Sequence, residues 1–462
     1  MLFNSLVFLF AFLPVTYLVF WTLHSARARY AWLAVTGYVF YGYWDWRFCF
    51  LMAFSTLVSY AAGLGFLRWD DPERDRRQRK LCLVVPIAVD LSLLAFFKYA
   101  NFGLATARDT LHVMGVDVRV PHLDVILPIG ISFYTFHTIS YIVDAYRKQI
   151  TPTRNPIEFA AYVSLFSQLV AGPIVRFRQI EADLENIEHA DRRRWLARGI
   201  SFFLVGLIEK VLVADSLAAH QSLSSVGAWL AMLGYTFQLY FDFSGYSTMA
   251  VGLGYMFALR IPQNFDSPYK SLDPSDFWRR WHISLSTCMR DYLYIPFGGN
   301  RGGEARTYRN LMLTMLVGGL WHGAAWTFVA WGAYHGVLLS VHRRWGAAWD
   351  ALPAVVRQLG MFVLALIGWV FFRATSFAMA ADLLRRMFVP TSGALGVAAG
   401  QLPVFLTVLA VAAAWAMRGP NAFEMPHDLR PYRRQVAIAG AFAAALAMIL
   451  SSRYSPFLYF QF

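Results

Sequence analysis

Residues 310–341 carry no Asp, Glu, Lys or Arg, and neither do residues 1–23 or 48–67. A helix rises about 1.5 Å per residue, so roughly 20 such residues cross the ~30 Å hydrocarbon core of a bilayer. Inside hydrocarbon each backbone N–H and C=O must be satisfied within the segment, which favours helices for runs of this length. Further apolar runs fall at residues 31–44, 81–97, 126–143, 159–175, 200–213, 217–259, 358–372, 402–417 and 435–452. The run 217–259 is long enough for two spans, or for one span and a bent half. The expected total is about ten to twelve spans. Residues 1–23 lack a basic leader and a small-residue cleavage site, so they are read as a retained first span and not as a signal peptide.

The composition agrees with this. Of 462 residues, 58% are hydrophobic and only 15% charged, whereas soluble domains run near a quarter charged. The net charge of +13 sits mostly in loops, as the positive-inside bias requires. Residues 68–80, with Arg68, Arg74, Arg76, Arg77, Arg79 and Lys80, form an expected cytoplasmic loop. The arginine clusters flank apolar runs and do not cover a soluble face, which argues against nucleic-acid binding. Cys49, Cys82 and Cys288 are scattered without a CxxC, so neither a disulfide framework nor a thiolate metal site is expected. Residues 101–124 read as interfacial, and 181–198 as a surface helix on the cytoplasmic side. Residues 260–309 are the longest polar insert. Their mixture of arginines with Trp, Phe and Tyr predicts short helices lying in, or dipping into, the cytoplasmic interface. The fold class expected is all-α: one polytopic membrane helix bundle over residues 1–462, with its core at 217–341.

Ionisable groups at membrane depth are costly and mark candidate sites. His322 lies in the uncharged run 310–341, beside Trp321 and between Gly319 and Gly323. Apolar surroundings favour the neutral imidazole, the form a general base needs to take a proton from a hydroxyl. A histidine hydrogen-bonded between helices would look the same in sequence. His282, like His322, follows a Trp; it is a second polar group for a reaction channel or an interfacial residue without chemistry. Asp242, in the run 217–259, would orient a histidine or pair with an arginine of the insert, and either use neutralises a charge that is expensive to bury. Arg279, Arg280 and Arg290 have the bidentate geometry to hold the phosphates of a cytoplasmic donor; the positive-inside bias explains them equally well. Tyr246, Ser244 and the amides near Gly319 are candidates to stabilise an oxyanion.

Other chemistries lack their signatures. Cys288 has an unspecific neighbourhood for a nucleophile. The glycines of residues 297–303 are not followed by Gly-Lys-Ser/Thr, no Gly-x-Ser-x-Gly occurs, and His335 and His342 lack the partners of a zinc site, so no metal is expected. A transporter would show broken helices paired between two related halves, and no internal repeat is visible.

Several stretches together resemble one family. They are residues 241–245 (Phe-Asp-Phe-Ser-Gly), 277–286 (Phe-Trp-Arg-Arg-Trp-His-Ile-Ser-Leu-Ser), 290–295 (Arg-Asp-Tyr-Leu-Tyr-Ile), 298–301 (Gly-Gly-Asn-Arg) and 318–323 (Gly-Gly-Leu-Trp-His-Gly). Residues 128–133, 170–173, 371–374 and 457–462 extend the likeness along nearly the whole chain. The family is that of the membrane-bound O-acyltransferases, in the branch that O-acetylates exported polysaccharides such as alginate. The resemblance implies a helix bundle around a funnel or tunnel in the bacterial inner membrane. It implies His322 as catalytic histidine, with His282 as the second, and Trp321 beside them. It implies acetyl-CoA as the donor, no bound cofactor, and periplasmic acetyltransferase partner proteins that pass the group to a polysaccharide acceptor. Thr248 stands where alginate-type members often have Asp, which leaves the polymer open, cellulose-like or teichoic-acid-like ones included. A transporter or scaffold of an export complex is the alternative of a different class.

Overall fold

The computed structural model describes residues 1–217, 224–427, 432–451 and 457–458. Parts of three expected features, residues 218–223, 452 and 459–462, lie outside them. Among the described residues every regular element is helical, and three helices are long and apolar enough to cross a membrane: Arg47–Arg68, Arg76–Val113 and Ala354–Arg373. The chain divides into two compact units, residues 1–195 with 254–261, and residues 196–253 with 262–462.

The first unit opens with a π-helical turn, Phe8–Phe12, that runs into α1 (Leu13–Thr22). This helix is shorter than the uncharged run, because the Ser5 hydroxyl accepts from the Phe8 amide at 3.3 Å and turns the chain there. Then come α2 (Ala26–Asp45), capped by Ser25, and α3 (Arg47–Arg68). The next helix, α4 (Arg76–Leu94), passes through a π turn at Ala95–Tyr99 into α5 (Ala100–Val113). Residues 101–113, expected at the interface, therefore extend a helix of 38 residues. The run 126–143 becomes helical only at α6 (Ile131–Tyr146), after Gly130 takes a left-handed φ of 82°. The run 159–175 is not a span. Only α7 (Pro156–Ser164) is helical, and α8 (Phe177–Glu185) follows. Between them residues 165–176 are irregular, the helix having ended at Ser164, ahead of Gly172 and Pro173. Irregular backbone is tolerated in such a protein where protein covers it, and here Gln168 Nε2 donates to Tyr162 O at 2.9 Å and the Tyr162 hydroxyl to Val175 O at 3.0 Å.

Asp90, a charge inside an expected span, is a clasp between three helices. It lies on α4 and is buried. Its oxygens accept from the Ser55 hydroxyl of α3 and the Thr138 hydroxyl of α6, both at 2.6 Å.

The expected surface helix 181–198 is split: α8 ends at Glu185, and α9 (Arg192–Leu207), which leads into the second unit, begins after a short turn. A π turn, Ile208–Ala214, continues α9. The described part of 217–259 forms one helix of 32 residues, α10 (Ser225–Met256), and not two spans. The polar insert folds as expected into short helices, α11 (Pro274–Arg280) and α12 (Ile283–Met289), and a π turn at Arg290–Tyr294. The uncharged run 310–341 is two helices, α13 (Glu304–His322) and α14 (Trp326–Asp350), separated where Gly323 becomes extended. After them come α15 (Ala354–Arg373), α16 (Phe377–Phe388), α17 (Leu402–Arg418) and α18 (Tyr432–Leu450). The amphipathic α16, capped by Ser376, is not apolar enough to stand out as a span.

Among the described residues, Asp242 on α10 pairs neither with an arginine of the insert nor with a histidine. Lys210 Nζ, in the π turn after α9, lies 2.5 Å from it and 2.7 Å from Asp215. The amide of Leu458 donates to the other Asp242 oxygen at 2.9 Å. All three side chains are buried, so α10 and the end of α9 meet on one cation, and the chain near Leu458 is tied to them through Asp242.

Two consequences are measurable by thermal unfolding of detergent-solubilised protein. Thr138→Val keeps the shape but removes one donor to Asp90, and is expected to cost about 1 kcal/mol. Lys210→Met leaves two facing carboxylates without their cation and is expected to cost about 3–5 kcal/mol, enough to lower the yield of inserted protein.

Candidate active site

The site is built on the α13–α14 hairpin of the second unit. A Cβ on Gly319 would lie 2.3 Å from the carbonyl oxygen of Phe328, and one on Gly332 would lie 2.3 Å from that of Met315. Only glycine permits both backbones to come so close. His322, the last residue of α13, is thereby held against α14. Its ring stands edge-on to Trp331 at 5.0 Å and to Phe372 of α15 at 5.3 Å between centroids. Trp321 lies 4.9 Å away. The imidazole is 4% exposed, yet it is not walled in. It lines a cavity of about 230 Å³ together with Trp278, Leu285, Met289, Met315, Gly318 and Trp331. Arg290 and Tyr294, from the π turn after α12, line the same cavity.

His282 joins α11 to α12 and is fully buried. Its ring centroid is 6.3 Å from that of His322 and 6.0 Å from that of Trp321. Phe243 of α10 meets it edge-on at 4.7 Å. The backbone there is left-handed, φ 44° and ψ 54°, a conformation that costs a non-glycine residue of order 1 kcal/mol or more. Asn264 holds it: the Asn264 carbonyl accepts from the Ile283 amide at 2.8 Å, and Asn264 Oδ1 lies 3.1 Å from His282 Nδ1. The same oxygen accepts from the Ser284 amide at 3.2 Å and from the Ser284 hydroxyl at 2.8 Å. Sequence reading passes over Asn264, because an uncharged residue in a polar insert has no periodic or charge signal. The one hint is that a single amide both donates and accepts.

The other residues singled out from sequence divide by position. Of the three arginines, Arg290 lines the cavity, with a largely exposed side chain 2.7 Å from Asp291. Arg280 is engaged by Asp276 at 2.9 Å and by the Asp266 carbonyl at 3.2 Å. Arg279 is exposed, 3.9 Å from Asp276. Neither of these two lines the cavity. Tyr246 is buried and stacked on Phe457 at 4.8 Å, and the Ser244 hydroxyl donates to Glu209 at 3.0 Å. With Asp242 bound to Lys210, these α10 residues serve the packing around that helix. His335, on α14, is buried among Phe277, Trp278 and Trp331. What remains is two imidazoles in an aromatic shell, one of them on an apolar cavity that also reaches a guanidinium. That arrangement suits proton transfer at the neutral end of a substrate whose anionic part stays at the edge.

The family model described as "MBOAT, membrane-bound O-acyltransferase family" matches residues 144–381, a range that contains His282, Arg290 and His322. The chain is 40% identical to the probable alginate O-acetylase of Azotobacter vinelandii over the full length of both. It is 45% identical to that of Pseudomonas aeruginosa over 84% of this chain and 75% of the relative. It is 37% identical to the peptidoglycan O-acetyltransferase of Helicobacter pylori over 84% of this chain and 80% of the relative. Its helices and these likenesses agree, and the chain belongs to the membrane-bound O-acyltransferase family, as a multi-pass helical membrane protein.

Proposed function

We propose that this protein takes an acetyl group from cytoplasmic acetyl-CoA and delivers it across the bacterial inner membrane for O-acetylation of an exported polysaccharide of the alginate type. The observation that carries the reading is that the buried His322 ring and the exposed Arg290 line one cavity. The names of the relatives that match the whole chain support the acceptor class.

In this reading the acetyl thioester enters the apolar cavity while the nucleotide phosphates stay at its edge on Arg290, whose planar guanidinium suits phosphate oxygens. His322 takes the proton of the attacking hydroxyl. The oxygen bonds to the thioester carbon, the C–S bond breaks, and the departing thiolate takes the proton back from the imidazolium. The products are an acetyl ester and free coenzyme A. Trp331 and Phe372 against His322 exclude water, which would otherwise compete as the nucleophile. His282 is the second imidazole of the reaction. Periplasmic acetyltransferase partners receive the group and place it on the polymer.

His322→Ala is expected to insert normally and to lose about 10²–10⁴-fold in turnover of labelled acetyl-CoA by purified protein, the usual worth of a positioned base. Retained turnover would exclude His322 as the base, and solute flux without any acyl donor would point to a transporter. Arg290→Ala is expected to raise KM for acetyl-CoA about tenfold, as loss of one charge-assisted contact does, with a smaller change in kcat. Steady-state kinetics against coenzyme A thioesters with and without the 3′-phosphate checks it.

A further inference from the structure

We propose that Asn264 is a positioning residue that fixes His282 in a single tautomer, with the proton on Nδ1 and with Nε2 left as a bare acceptor beside His322. The inference rests on the acyltransfer reading above, and it gives His282 a defined part in it.

The amide orientation of Asn264 is settled by its neighbours. The backbone N–H of Ser284 can only donate, and it points at Oδ1 from 3.2 Å. At the other end Nδ2 donates to the Ser247 hydroxyl at 3.1 Å. A flipped amide would set an NH₂ against the Ser284 N–H, donor against donor. Oδ1 therefore faces His282 Nδ1 at 3.1 Å as an acceptor, and Nδ1 must carry the proton. A neutral imidazole has one N–H, so Nε2 holds a lone pair. That atom is buried and has no hydrogen-bond partner among the described residues. Buried acceptors are normally satisfied, so an open one in an aromatic shell 6.3 Å, centroid to centroid, from His322 points to a donor that arrives with the substrate. We assign it to a second O–H of the acceptor, next to the hydroxyl whose proton His322 takes.

Asn264 also sets the aim of the ring. Its carbonyl takes the Ile283 amide and its side chain takes the ring, so one residue grips the left-handed turn on both sides. A second partner that selects the tautomer and orientation of a functional histidine is commonly worth 10–100-fold in activity. Here it is an amide, which orients the ring without adding charge to a buried place.

The test compares two replacements of similar size in the full-length protein in lipid nanodiscs, reading turnover of labelled acetyl-CoA. Asn264→Leu fills the space but accepts nothing. Asn264→Asp keeps the acceptor for His282 and Ser284, and the Ser247 hydroxyl can turn to donate to it. Asn264→Leu is expected to lower kcat by about 10–100-fold, with KM for acetyl-CoA within twofold, and to add no further loss to His282→Ala. Asn264→Asp is expected to restore most of kcat. A role in packing alone predicts the reverse, with Leu tolerated and Asp damaging, and that result overturns the proposal, as does an additive double variant. If Asn264→Leu fails to fold, Asn264→Asp decides alone. A carboxylate on Nδ1 favours the imidazolium, so the acid limb of the pH–kcat profile must move to higher pH, the other titratable ring beside His282 being His322 on α13; an unmoved limb overturns the proposal. If His282→Ala is itself silent while His322→Ala is inactive, the assignment of a hydroxyl to His282 falls and the acyltransfer reading stands. If both are silent, the acyltransfer reading falls.

Discussion

A helix end can carry a reactive side chain into an apolar interior only if something fixes where the helix stops and how close its neighbour comes. Here that is the contact of Gly319 with the Phe328 carbonyl and of Gly332 with the Met315 carbonyl. These two approaches bring α13 and α14 together at backbone distance, and Gly323 then breaks the helix one residue after His322. The imidazole so placed meets Trp331 from α14 and Phe372 from α15. A side chain on either glycine would push the helices apart by more than the aromatic shell can absorb, since protein interiors are packed near the density of organic crystals.

The polar residues of the second unit sort by what their partners leave over. Asp242 and Asp215 are neutralised on Lys210, and Arg280 is taken up by Asp276 and the Asp266 carbonyl. Breaking such an arrangement would strand a buried charge, which makes these groups structural. His322 and Arg290 face a cavity instead. In a bilayer, where an ionisable group is costly wherever it sits, burial alone does not separate the two kinds. Access to open volume singles out His322 and Arg290.

This is also why part of the molecule was legible from sequence and part was not. Helix content follows from uncharged length, and α3 and α15 lie where the apolar runs place them. Length alone does not show that a run is broken inside. Residues 310–341 fold back at Gly323, and 165–176 leave the helix before Gly172-Pro173, because both breaks depend on burial against neighbours. His322 was legible because a titratable residue stands out in an uncharged run. The partner of Asp242 was not: Lys210 is 32 positions away by the numbering, and a charge pattern names no contact across helices. Asn264 was the hardest, since its role exists only once the chain turns left-handed at His282 and brings three donors onto one oxygen.

The size of the cavity bears on how the proposed donor must lie. About 230 Å³ is below the roughly 300–1,000 Å³ of sites that enclose a drug-sized ligand. Such a volume admits a short acyl thioester and part of its arm, and it cannot admit a nucleotide. The charged end of the donor would then have to remain on the side of Arg290 and Tyr294, and only a neutral thioester would travel inward to His322. This division suits the chemistry, because a phosphate drawn into the aromatic shell would pay a desolvation cost that no buried cation there offsets.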